Sequence, residues 1–221
     1  VTQIIDSQVK SLTQTYPDLQ ISVLCGHPGP VERFEQQNVQ VIVNRNLDYL
    51  YDENPSGAEI DRITREIKDF LKKHIAPQEI IHVHNINLGK NPLLTWCIYQ
   101  LAGEGRPVLN HAHDFAEDRP PNMAFLRFIL RDGLQVEPEE VMYPVEWNNY
   151  HIGVINTFDQ ERLIKQDFPA ERISYLPNPV SVPDISSLPP QNTCRANIID
   201  ALSLDPDKKI VTYPVRVIRR K

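Results

Sequence analysis

The stretch IIHVHNINLGKNPLLTWCIYQLAGEGRPVLNHAHD, residues 80–114, decides the fold. Ile80 to His84 and Pro107 to His111 are short runs with apolar centres, of the kind that form strands. Residues 92–102 between them are apolar over the length of a helix. Strand, helix, strand with no clean in–out alternation is the pattern of a parallel sheet covered on both faces. Working outward, the same rhythm repeats. Upstream, helices are expected at 1–16 and 57–75, the second through Ile60, Ile63, Ile67, Phe70, Leu71 and Ile75, and strands at Ile21–Cys25 and Val39–Val43. Downstream, a helix is expected near 121–131, a loop over 133–149, a strand at Ile152–Asn156, a helix at 159–167 and a strand at Arg172–Tyr175. The fold class is therefore α/β, a doubly wound parallel sheet of Rossmann-like type.

Ligands of such sheets gather at the carboxyl ends of the strands. There the chain carries Cys25-Gly-His27, His84-Asn85, His111-Ala-His-Asp114 and Asn156-Thr157. Further on, Pro177, Pro179, Pro183, Pro189 and Pro190 interrupt regular structure and mark a connector over 177–191. The expected organisation is a first domain over 1–176, that connector, and the start of a second domain over 192–221. The second begins with a helix at about 192–202 and a strand at Lys209–Tyr213.

Composition narrows the function. The chain has 221 residues, 41% hydrophobic and 24% charged, which suits a globular protein. A net charge of −6 argues against nucleic-acid binding driven by overall charge. Cys25, Cys97 and Cys194 are far apart and form no CxxC pair, so reduced thiols and a cytoplasmic location are expected. No apolar run approaches the roughly 18 residues of a membrane-spanning helix. No transmembrane segment is expected, which leaves peripheral membrane contact open.

Three clusters carry chemistry. His82-x-His84 and His111-x-His113-Asp114 sit on neighbouring strands, and residues two apart on a strand face one side. Such imidazoles, with Asp114 as a carboxylate, are ligands of zinc type. Packed, hydrogen-bonded histidines are the competing reading and suit His82 and His111. His84 and His113, last on their strands, are read as ligand contacts, and no metal is expected. Asp114-Phe-Ala-Glu-Asp-Arg119 either caps the following helix, Glu117 and Asp118 lying near its positive end, or recognises hydroxyl groups through Asp and Arg. Arg216, Arg219, Arg220 and Lys221 read as a solvated basic tail or as a cradle for a diphosphate.

These residues together resemble one family. The stretches IIHVHN (80–85), GKNPLL (89–94), VLNHAHDFAEDR (108–119), GVINTFDQERL (153–163), RISYLPNPV (172–180) and KIVTYPVRVIRRK (209–221) occur in the order found in retaining, bacterial-type GT-B glycosyltransferases of the family 4-like group. The resemblance implies the N-terminal, acceptor-side half of a two-domain GT-B enzyme, plus the start of its donor-binding half. It implies a hexosyltransferase that moves a sugar from a nucleotide-sugar donor to a hydroxyl acceptor, with no cofactor. His113 maps onto the histidine facing the donor sugar and is the catalytic candidate. Arg216 and Lys221 map onto the pair that holds the donor diphosphate, although Val215 stands where the family has glycine. His84, Asn85, Asp114, Asp118 and Arg119 are the acceptor or sugar contacts. The family opens with a strand and a glycine-rich loop, both expected to be missing here, so these residues alone are expected to be inactive. Two alternatives stand beside this reading. One is a metal-dependent hydrolase using His82, His84, His111, His113 and Asp114; the other is a non-catalytic binding domain.

Overall fold

A computed structural model describes residues 2–27, 29, 34, 39–50, 54–179, 186 and 188–210. The chain divides into two compact units, Val1–Pro179 and Val180–Lys221.

The first unit opens with α1 (Thr2–Thr15). Its Val9 is buried with Phe34 and Val39, and Ile5, Ile21, Val23 and Val41 pack around them. Strands β1 (Ser22–Cys25) and β2 (Gln40–Val43) run parallel, Ser22 opposite Gln40 and Cys25 opposite Val43. Helix α2 (Gly57–His74) starts at a capping box. The Ser56 hydroxyl accepts from the Glu59 amide and the Glu59 carboxylate accepts from the Ser56 amide. Two orphan amides of the first turn are thereby satisfied. Its Ile60, Ile63, Ile67 and Leu71 are buried at the helical spacing read from the sequence. Burying each such side chain stabilises the fold by about 2 kcal/mol.

Strands β3 (Ile81–His84), β4 (Val108–Ala112), β5 (Tyr150–Val154) and β6 (Ile173–Tyr175) form a second parallel sheet in that order. Helix α3 (Pro92–Gly103) connects β3 to β4 and starts at Asn91, whose side chain accepts from the Leu94 amide. The six strands among the described residues thus fall into two parallel sheets of two and four. The α/β, Rossmann-like class holds.

Register assigns the faces of the larger sheet. Ile81 lies opposite Val108, Val108 opposite Tyr150, Asn110 opposite Ile152, and Ala112 opposite Val154. Along these pairs that face is apolar and buried, while Tyr175, opposite Val154 at its edge, is exposed. Its one polar residue, Asn110, donates to Asn87 and to the Tyr150 hydroxyl. Alternation puts His82, His84, His111 and Gly153 on the opposite face.

Three expectations are corrected. The segment 133–149 contains a helix, α5 (Pro138–Met142), which buries Val141 and Met142. The helix near 121–131 is α4 (Pro120–Leu126), continued by a π-helical turn over Arg127–Gly133 in which Ile129 and Leu130 are both buried. The fifth strand lies earlier than 152–156, because the Asn156 side chain caps α6 (Thr157–Lys165) by accepting from the Asp159 amide. An asparagine that caps a helix ends the strand before it.

In the second unit, α7 (Gln191–Leu202) buries no residue. Arg195 donates to the carbonyls of Pro206 and Lys208 beyond it. Residues 209 and 210 are not in a strand, and the rest of the expected strand lies outside the described residues. None of the described helices is long and apolar enough to cross a membrane.

Candidate active site

Parallel pairing sets His84 opposite His111, so the two HxH pairs bring four imidazoles together on one face and its edge. Ring centroids are 4.5 Å apart for His82 and His84, 5.1 Å for His84 and His111, and 4.3 Å for His111 and His113. Nδ1 of His84 lies 3.2 Å from Nε2 of His113. Nε2 of His111 lies 2.9 Å from the Leu176 carbonyl, which only accepts, so Nε2 carries the proton. Nδ1 of His111 is then an acceptor, and Nε2 of Gln8 in α1 donates to it over 3.2 Å. The register partner of His111 is Gly153. A Cβ there would come within 3.2 Å of Leu176, so the missing side chain lets the chain after β6 approach over the sheet.

The rings differ in how well they are satisfied. His111 uses both nitrogens, as the packed-histidine reading expects. Nε2 of His82 is buried and has no hydrogen-bond partner. Burial, and then the neighbouring His111, pushes His82 down to about 4. Burial and the other imidazoles push His84 down as well. His113 is lowered to about 4 by burial and His111, against the opposing pull of Asp114 and the Asn178 side chain. All three imidazoles are neutral at pH 7.

β4 ends at Ala112, so His113 is the first residue of the turn beyond it rather than the last of the strand. Asn85 pins that turn. Its Oδ1 accepts from the amides of His113 and Asp114, and its Nδ2 donates to Oδ2 of Asp114. Asp114 also accepts from Arg119 at 2.6 Å. His84, Asn85, His113, Asp114 and Arg119 are therefore gathered at adjoining strand ends. Asp118 makes a different contact: Arg162 donates to both its oxygens, at 3.0 and 2.9 Å. The same guanidinium covers the Phe115 ring and lies 3.7 Å from Glu117, which accepts from the Tyr143 hydroxyl. Arg216 and Lys221 lie outside the described residues.

Sequence reading missed Gln8, Gly153, Leu176, Tyr143 and Arg162. None carries a local signal, since each meets the site across a long separation in the chain. A cavity of about 270 Å³ lies elsewhere, lined mainly by Ile5, Val23, Cys25, Phe34 and Val41. Its lining is apolar apart from Cys25 and His27 and includes none of the four clustered histidines.

Fold and site define an α/β protein of Rossmann-like type with a polar cluster where the strands of its larger sheet end. No protein-family model matches the chain, and no solved structure matches it. The chain is similar to the mannosylglucosyl-3-phosphoglycerate synthase of Petrotoga mobilis, a glycosyltransferase, at 30% identity over 236 aligned residues. The alignment covers 100% of this chain and 43% of the relative.

Proposed function

We propose that the chain is the acceptor-side part of a retaining GT-B glycosyltransferase that moves a hexosyl group from a nucleotide-sugar to a hydroxyl acceptor in the cytoplasm. The carrying observation is His113, held at a strand end by Asn85 and beside Asp114, in a chain similar along its whole length to a glycosyltransferase. His113 orients the donor sugar by a hydrogen bond, and its neutral ring is suited to that task. Asp114 and Arg119, already paired, offer a carboxylate and a guanidinium to the hydroxyls of the acceptor, with His84 and Asn85 behind them. Asp118 contributes through Arg162. Arg216 and Lys221 hold the diphosphate, whose charge grows as the glycosidic bond breaks, so cations there act most strongly in the transition state. No metal or cofactor is required for these steps.

The relative is named for a product built of sugars on a phosphoglycerate, so a sugar-phosphoglycerate belongs among the acceptors assayed. The native gene product, offered UDP-, GDP- and ADP-sugars with such acceptors, should transfer one of them with retention at the anomeric carbon. His113→Ala should lower kcat about a hundredfold, the typical loss for one oriented donor of about 3 kcal/mol, with an unchanged unfolding midpoint. Wild-type kinetics in that variant would mean that His113 is a packing residue and that the site lies elsewhere.

A further inference from the structure

We propose that His82, His84 and His111 form a binding site for one divalent transition-metal ion of the zinc class. On spacing alone no metal is expected; the closeness of the third ring in space changes the reading. One ring nitrogen from each of the three lies within 4.8 Å of those of the other two. A tetrahedral ion with nitrogen ligands at about 2.0 Å sets those nitrogens roughly 3.3 Å apart. Side-chain rotation is what has to close that difference.

Hydrogen bonding points the same way. Nε2 of His82 and Oε1 of Gln8 are both buried without a partner. A buried polar atom left unsatisfied is destabilising, and native structures hold few of them. His111 donates its Nε2–H to a backbone carbonyl, the outer bond that fixes a metal-binding imidazole in one tautomer. Its Nδ1 is therefore the nitrogen with a lone pair to offer an ion, and it now accepts from Gln8. An ion taking Nδ1 displaces that N–H, and turning the amide over presents the unpartnered Oε1 instead. In His84, the tautomer in which Nδ1 donates to His113 leaves the Nε2 lone pair to bind.

The ligand set has three neutral nitrogens and no carboxylate. It suits zinc, nickel, cobalt or copper and rejects magnesium and calcium, which take oxygen. Three protein ligands leave a fourth position for water or for Gln8.

The test is binding, and it does not depend on sugar transfer. Tag-free protein stripped with a chelator is titrated with zinc chloride by calorimetry at pH 7.5. One equivalent should bind at micromolar concentration or tighter, and magnesium should not compete. His82→Leu should weaken binding tenfold or more. X-ray absorption at the zinc edge of the wild-type complex should count three imidazoles, a readout that needs no variant to fold. No saturable zinc binding, unchanged affinity in a folded His82→Leu protein, or fewer than three imidazoles would each overturn the site. Zinc binding by a native gene product that transfers no sugar would leave the site standing and sink the proposed function.

Discussion

At the residue scale, Asn85 shows how one side chain can shape a site. Its backbone is left-handed, φ 61° and ψ 30°, a conformation asparagine tolerates better than most residues. From there its amide bonds both peptide groups of the turn that carries His113 and Asp114, and also the Asp114 carboxylate. Alanine would lose all three bonds and keep the strained backbone. Asn85→Ala should destabilise the protein by about 2–3 kcal/mol, read from urea unfolding. Asn85→Gly should lose less, since it removes the bonds without the strain. Equal stability of the alanine variant and the wild type would show that the turn holds itself. That His84, Asn85, His113 and Asp114 gather at adjoining strand ends was legible in the sequence, because both HxH pairs close neighbouring parallel strands. Their supports were not. Gln8 lies 103 residues from His111, and Leu176 lies 65 residues from it, separations over which no pattern signals contact.

At the scale of elements, most helices announced themselves. In α2 the buried face of Ile60, Ile63, Ile67 and Leu71 is readable from residue order. Helix α5 was not: five residues beginning at Pro138 give too short a period to separate from a loop. Gly26, after β1, illustrates a constraint set by two elements at once. A Cβ there would stand 2.2 Å from the Asp48 nitrogen and 2.5 Å from its Cα. Asp48 follows a short 3-10 turn, Arg45–Leu47, and its carbonyl accepts from Asn91 at 2.6 Å, so backbone and not a flexible tip would have to move. Gly26→Ala should therefore destabilise by about 1–3 kcal/mol. Gly57→Ala is the control, with nothing within 4 Å of the new methyl, and should be neutral or slightly stabilising. Matching unfolding midpoints for the two variants would show that the 22–50 region relaxes freely.

At the scale of the whole molecule, the unit Val1–Pro179 holds the His113 cluster, while Arg216 and Lys221 belong to the segment of the second unit. If the pair clamps a diphosphate, neutralising either cation in the native gene product should cut kcat/KM tenfold or more, about 1.4 kcal/mol. Arg219→Ala and Arg220→Ala should do less. Equal small effects at all four positions would identify a charged surface, since exposed charges contribute little. Sequence by itself determined the α/β class, the buried faces of the longer helices and the placing of both HxH pairs at neighbouring strands. These follow from local periodicity, which every short window of the chain carries. Only the tertiary structure decided that the strands form two sheets and that His111 is saturated by Gln8 and Leu176 while His82 is left with an unpartnered nitrogen. It alone gave Asp118 to Arg162. Those outcomes depend on which distant groups are delivered to the same few ångströms, and hydrogen bonds of that reach are fixed by packing and not by sequence spacing.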